Sequence, residues 1–417
     1  MTAADYCAQA GELQRERRFD AAARTYEQAL ELPLERLDRA RVLARLSLLR
    51  LELEGRAGRG AETAHQAVAL LASGPEEPAV WAVRGVAWAV VALNLSFYRD
   101  ALGVDLGQKA LTDLERAAGP ASGPEALEMA ARMCLLLDRP QDAIAWGERY
   151  LTLETDPGAQ AVFAAAMARA LRLAGRLAEA ERVLAAGLAD RDLAKHAAAA
   201  LYHEQGLLDR ALGREREAGV AWERALGVAA TYQDRALLVE AGVCLGDWCY
   251  AAGSFAEAAG HVERVLALLP EDTHWRRRAL VWLGRCRTEL GACGQARECF
   301  AEVLASAEAS DAEQNDAHRG ALCAVARSSS HSGDYRAAAK TYRRILEENP
   351  GDDEFRRAML LWLADCCSRT GEPASARACY VEILSSPRAS EAERERARGG
   401  LAALPWEPAG AAARRSA

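Results

Sequence analysis

The chain has 417 residues, 51% of them apolar and 27% charged, which is the composition of a folded globular protein and excludes a disordered or collagen-like chain. Its formal net charge of −8 gives it no general attraction for phosphate backbones, so a nucleic-acid partner is not expected. Of its 52 basic residues only Lys109, Lys195 and Lys340 are lysine; with the heavy use of Ala, Gly and Leu this reads as bacterial coding bias.

In chain order, Met1 to Asp20 holds no basic-then-apolar leader, so no signal peptide is expected. The eleven cysteines are odd in number and scattered, and are expected to be reduced thiols in a cytoplasmic protein. Residues 1–36 read as one helical hairpin, on Tyr6, Ala10, Leu13, Phe19, Ala22, Tyr26, Ala29 and Leu30. Residues 37–157 read as three irregular units, with Ala64, Ala67, Trp81, Gly85, Ala131 and Ala143 as partial matches. The most apolar run, Val86 to Leu93 within a longer stretch from Ala79 that includes Arg84, is too short for a membrane span and is expected to be a buried helix.

Residues 158–387 are regular. Gly175, Gly213, Gly253, Gly291, Gly333 and Gly371 are spaced by 38, 40, 38, 42 and 38 residues. Seven residues before each stands a small residue (Ala168, Gly206, Gly246, Gly284, Ala326, Ala364), and five after each an alanine. Four further on is a bulky residue (Leu184, Trp222, Val262, Phe300, Tyr342, Tyr380), and four beyond that always leucine. The glycine suits the left-handed turn that ends a first helix. The small residues allow close helix approach, and columns four apart make one apolar stripe on a second helix. No period-2 alternation persists, so no strands are expected. A hairpin of this kind buries its stripe only by stacking on neighbours. Residues 388–404, rich in Glu and Arg, read as a capping helix, and 405–417 as a disordered tail in which Trp406 packs on the last hairpin.

These motifs carry a resemblance. Leu245-Gly246, Gly253, Phe255, Ala258, Leu266 and Pro270, and again Gly333, Tyr335, Ala338, Tyr342 and Pro350, resemble tetratricopeptide (TPR) repeats. The period of 38 to 42 departs from the family's 34 residues, and the extra length is expected in helices or inter-repeat loops such as Ser306 to Ala317. The resemblance implies an all-α, right-handed α-solenoid of about ten tandem helical hairpins, a TPR-like superhelix with a C-terminal capping helix.

Chemical motifs are largely missing. No GxxxxGK[ST] or GxGxxG follows a strand; Gly107-Gln108-Lys109-Ala110 lacks the loop and the hydroxyl. There is no CxxC, and the adjacent Cys366 and Cys367 diverge by about 100° on a helix. His203-Glu204 opens like HExxH, but Leu207 stands where the second histidine must be, and His196 with His203 makes only two ligands. Ser330-His331-Ser332-Gly333 falls in a hairpin turn, where small polar residues are ordinary. No catalytic residue, metal or cofactor is expected, and the cysteines read as small core residues.

In the TPR family first helices line the concave face, which implies a groove here too. The residue after the small-residue column is Arg132, Arg169, Leu207, Asp247, Arg285, Arg327 and Asp365 from the fourth unit onward. Three residues earlier stand Trp282 and Trp362. The candidate partner-binding groove is therefore Arg132, Arg169, Arg285, Arg327, Trp282, Trp362 and Asp365. Arginines one repeat apart suit the carboxylates or carbonyls of an extended peptide, and tryptophans suit anchoring. The same arginines equally suit solvation or pairing with Asp247 or Asp365, and a one-residue register shift would put the tryptophans in the core. The expected function is a scaffold or adaptor that binds a protein or peptide, with no nucleic acid, membrane or small-molecule cofactor. Two alternatives stay open: a stand-alone peptide-responsive sensor, and a helical-array enzyme.

Overall fold

The computed structural model describes residues 2–405 apart from 17, 55–58, 74, 99, 118–122, 190–194, 233, 270–272, 349 and 352–353. Among the described residues there are helices and no strands. The succession begins with the hairpins α1 (Ala3–Arg15) with α2 (Phe19–Leu30), α3 (Arg36–Glu54) with α4 (Gly60–Leu71), and α5 (Pro78–Tyr98) with α6 (Asp100–Ala117). Then come α7 (Pro124–Leu136) with α8 (Pro140–Leu153), α9 (Pro157–Leu173) with α10 (Leu177–Ala189), and α11 (Lys195–Ala211) with α12 (Glu215–Tyr232). The remainder is α13 (Arg235–Ala251), α14 (Phe255–Ala267), α15 (His274–Glu289), α16 (Cys293–Ala305), α17 (Asp311–His331), α18 (Tyr335–Glu348), α19 (Glu354–Thr370), α20 (Pro373–Ser385) and a last single helix α21 (Glu391–Ala403). The described residues thus form an all-α solenoid of ten helical hairpins followed by one helix. Its contacts gather into two units, residues 1–252 with 261–276, and residues 253–260 with 277–417.

The turns follow from backbone sterics. All six column glycines adopt φ between +74° and +84°. The residue after Gly175 donates its N–H back to the Leu171 carbonyl at 2.8 Å, closing the helix end. Asp138 makes the same turn in the hairpin of α7 and α8, at φ +54°, with the Arg139 N–H on the Cys134 carbonyl at 2.8 Å. The irregular region therefore hides a seventh unit in register, with Ala131 seven residues before Asp138 and Ala143 five after, both buried. Helix starts are set by side chains: Asp234 caps α13, while Ser310 with Glu313 and Ser390 with Glu393 form capping boxes on α17 and α21.

The small-residue column seats the aromatic column. A Cβ on Gly206 would lie 2.5 Å from the Trp222 ring, and one on Gly284 2.6 Å from Phe300. Glycines of the following first helix do the same work: a Cβ on Gly320 would meet Phe300 at 2.3 Å, and on Gly400 would meet Tyr380 at 2.2 Å. Trp222, Phe300 and Tyr342 are in consequence fully buried. The stripe on the second helices differs from its sequence reading at one column. Apart from the buried Leu346, the leucines stand at the edge, Leu304 being 41% exposed, and the residue just before takes the inside position: Ala225, Val265, Val303, Ile345 and Ile383 are buried. A step of three from the bulky column keeps to the core face where a step of four drifts off it. The long spacing around Ser306 divides between loop and helix. Only residues 306–310 are loop, and the rest lengthens α17 to 21 residues.

The irregular hairpin of α5 and α6 packs by other means. Pro78–Ser96 forms a helix long and apolar enough to cross a membrane, longer than its run of apolar letters indicates, and 56% of it is buried among its neighbours. A Cβ on Gly85 would meet Leu114 at 2.8 Å and one on Gly103 would meet the Ser96 backbone at 2.5 Å, so the two helices cross closely. Arg84 donates to both oxygens of the buried Asp113, at 2.7 and 2.9 Å. The tail from residue 406, with Trp406, and Pro270 and the His196 side chain lie outside the described residues.

Candidate functional site

The site of interest in the first unit is a cavity of about 300 Å³ walled by the odd-numbered helices, with Tyr26 of α2 as the one second-helix residue in its lining. Its apolar surface comes from Leu48 and Leu51 of α3, Met129 of α7, and Val162, Ala165 and Ala166 of α9. Arg132 of α7 and Arg169 of α9, both expected in the groove, lie in its wall. Farther along, the wall is not built by the expected column. Leu207 and Asp247 do not line it, and His203 and Glu204 of α11 with Asp234, Leu237 and Glu240 at the start of α13 do so instead. The wall curls tightly enough for α3 and α11, far apart in the chain, to touch.

Most charges in this wall are partnered. Arg45 lies 3.6 Å from Glu125. Arg132 holds Glu128, one helical turn back, at 2.7 Å. The buried Glu204 takes Arg172 at 3.1 Å, and His203 Nε2 stands 4.0 Å from Glu240. Asp234 accepts from the Ala236 and Leu237 N–H groups at 3.1 Å as the α13 cap. Arg169 is the exception. It is exposed, and among the described residues it makes no hydrogen bond or ion pair.

The second unit holds the other five candidates, and all are engaged with neighbours. Arg327 of α17 lies 3.4 Å from Glu289 and stacks 4.8 Å over the Trp362 ring, which stands 5.8 Å from the Tyr342 ring. Trp362 thus serves the core as much as a surface. Arg285 stacks 5.1 Å over Trp282 on its own helix and lies 3.8 Å from Asp316. Asp365 pairs with Arg369 at 3.1 Å, and Arg369 reaches the Tyr335 hydroxyl at 3.1 Å. Asp247, weighed as a partner for these arginines, is held instead by Arg210 at 2.8 Å. Burial pushes the Glu289 carboxyl up, against the pull of Arg327. The Tyr342 hydroxyl is buried without a hydrogen-bond partner, and burial raises it as well.

Burial works against activation of several of the cysteines. All eleven are free thiols. Burial pushes Cys134 up to about 11 and Cys323 and Cys379 up to about 12, so the thiolate is scarce at neutral pH. His331 ends α17 and Ser332 is its C-cap, so both belong to the hairpin turn.

The pairings that sequence reasoning missed share one signal. Arg172–Glu204, Arg210–Asp247, Arg277–Glu313, Arg327–Glu289 and Arg357–Glu393 all join residues about one repeat apart. A carboxylate one period from an arginine on the same helix face was the available clue.

Comparison with known proteins places the chain. Residues 7–40 and residues 331–403 each match a tetratricopeptide repeat family. With the ten hairpins, these matches make the chain a tetratricopeptide-repeat protein. No curated protein matches it in sequence. Among solved structures it is similar to the APC/C hetero-tetramer Cut9–Hcn1, at 13% identity and TM-score 0.54, over 96% of this chain and 76% of that one. It is also similar to a Rap protein complexed with competence and sporulation factor, at 16% identity and TM-score 0.54, over 86% of this chain and 99% of that one. A STAND protein with a tetratricopeptide repeat sensor from Pyrococcus horikoshii aligns at 14% identity and TM-score 0.49 over 86% of this chain, which spans 64% of that protein's length. Repeats of this kind make the chain a protein-interaction scaffold in general terms.

Proposed function

We propose that the chain is a scaffold or adaptor whose ligand, a peptide segment of a partner protein, lies in the first-unit groove beside Arg132 and Arg169. The observation that carries this reading is the cavity of about 300 Å³ lined by both apolar and charged side chains, built mainly by first helices of successive hairpins. In this reading the chain performs no chemistry itself and works in a reducing, cytoplasmic setting, in accord with its free thiols of raised pKa. Its net charge of −8 favours a peptide over a nucleic acid.

A photo-crosslinking residue at Ala166, in the cavity wall, compared with one at Glu181, on the second helix of the same hairpin, tests the site. Crosslinks to one discrete partner from Ala166 alone support it; equal labelling from both, or none from Ala166, sinks it.

A second reading is favoured by the contact of α3 with α11. A ligand that parts these helices alters the curvature of the unit, which is how a peptide-responsive sensor works. The Rap structure was solved with competence and sporulation factor, a likeness in keeping with such a role. Faster amide exchange in α3 and α11 on ligand binding favours the sensor, and unchanged exchange there favours the scaffold.

A further inference from the structure

We infer that the chain pairs with a second copy of itself, antiparallel, through an open seam between α16 and α17 of the second unit. The seam encloses about 530 Å³ and is lined by Ala301 and Leu304 of α16 and by Ala321, Leu322 and Val325 of α17. Leu304 and Val325 are 41% and 39% exposed. At 100° per residue, Val325 stands about 200° round α17 from Arg327. This surface is therefore not the one that carries the arginine and tryptophan columns.

The seam is open because its positions are underfilled. At the next junction, between α18 and α19, the places of Leu304, Ala321, Leu322 and Val325 are taken by Leu346, Met359, Leu360 and Leu363, all buried. Arg356, in the place of His318, donates across that junction to the Leu346 carbonyl at 2.8 Å. Between α16 and α17 the smaller alanine and valine leave the space unfilled, and exposed apolar side chains border it. An apolar surface of this kind is stabilised when a partner covers it.

The charges on the rim choose the partner. Arg297 and Glu298 stand side by side on α16, both exposed, and among the described residues neither makes a hydrogen bond or ion pair. One charge of each sign gives no preference for a strongly acidic or basic partner, but it is complementary to itself. A two-fold axis brings the same patch together twice. With the axis passing between Arg297 and Glu298, each Arg297 faces the partner's Glu298. The same register lays Ala301 over the partner's Gly294, where nothing occupies the space a Cβ would take, so the two backbones can approach closely. Because α16 and α17 run in opposite directions from the loop at 306–310, Gly294 lies toward the Val325 end of the seam. Each Leu304 is thereby carried to the Val325 end of the other copy's seam, and the unfilled space is closed.

The test is sedimentation velocity on the full chain from roughly 1 to 300 µM. A reversible monomer–dimer equilibrium with a dissociation constant on the order of tens of micromolar is expected for so small a face. Arg297→Glu, or Glu298→Arg, sets like charges against each other twice and is expected to weaken association at least about tenfold. The double swap, Arg297→Glu with Glu298→Arg, is expected to restore it. An equimolar mixture of the two single variants is expected to form a dimer that neither forms alone, because each then supplies the charge the other lacks. Val325→Asp is expected to abolish association. All three side chains are exposed, so an unchanged thermal melt shows that each variant is folded. A chain that stays monomeric to the highest concentration leaves the seam to some other occupant and overturns the inference. A dimer indifferent to either charge reversal, or reversals that neither the swap nor the mixture rescues, overturns it as well.

Discussion

The inner helices of the two units use the same residue types to opposite ends. In the second unit the arginines and tryptophans close on one another: Arg327 on Glu289 and Trp362, Arg285 on Trp282 and Asp316. In the first unit the wall stands back from a cavity and leaves Arg169 open. An arginine at the groove position is therefore a structural tie or a ligand contact according to whether a carboxylate or an aromatic ring lies within its reach. The column alone does not decide.

Substitutions sharpen this contrast. The largest expected effect is that of Arg277→Ala. The side chains of Arg277 and Glu313 are only 8% and 13% exposed, and loss of the arginine leaves a buried carboxylate its Ser310 bonds but no counter-charge, at a cost of about 3 kcal/mol in chemical denaturation. Its first-unit counterpart Arg132→Ala breaks an i,i+4 pair on a half-open wall and is expected to cost less than about 1 kcal/mol. Equal losses would erase the distinction. Next comes Arg327→Ala, which uncovers Trp362 and leaves Glu289 without its partner, for about 2 kcal/mol. Arg169→Ala is expected to leave the denaturation midpoint within about 0.5 kcal/mol of the unaltered chain while losing ligand.

A smaller effect, of opposite sign, belongs to the irregular region. Asp138 holds φ +54° where the regular hairpins place glycine, so Asp138→Gly is expected to stabilise by up to about 1 kcal/mol, read as a higher melting temperature. The pH dependence carries direction rather than size. Burial raises Glu313, but the Ser310 N–H and hydroxyl and the Arg277 guanidinium outweigh it, and the net shift is down. Its contribution is present above the ordinary value of 4.5 and is lost as pH falls through the lowered pKa. Glu289 is shifted up, so the folded chain binds its proton more tightly, and stability falls as pH rises from 4.5 through its folded pKa. Glu313→Gln and Glu289→Gln are thus expected to change the slope of stability against pH in opposite senses. The smallest perturbation is chemical: iodoacetamide on the folded chain at neutral pH is expected to leave Cys323 and Cys379 unmodified, and to label them after unfolding.

Local rules made much of the fold legible. A glycine that must adopt positive φ, alanines four residues from bulky side chains, and a Ser-x-x-Glu box each state their conformation in one short stretch of chain. Asp138 escaped notice because an aspartate in that turn is uncommon, although Ala131 and Ala143 held the register around it. The α5–α6 hairpin was illegible for another reason: it packs through Gly85, Gly103 and the Arg84–Asp113 pair rather than through the repeating columns.

By itself, the sequence determined that the chain is a run of helical hairpins, where each regular one turns, and where small residues let two helices approach, because those choices depend on neighbours within about 40 residues. Which arginine stays open, where the wall stands back to leave a cavity, and that α3 reaches α11 were decided only by the tertiary structure. These depend on how successive hairpins rotate against one another. Small differences in that rotation add up along the stack, and no single repeat records the sum.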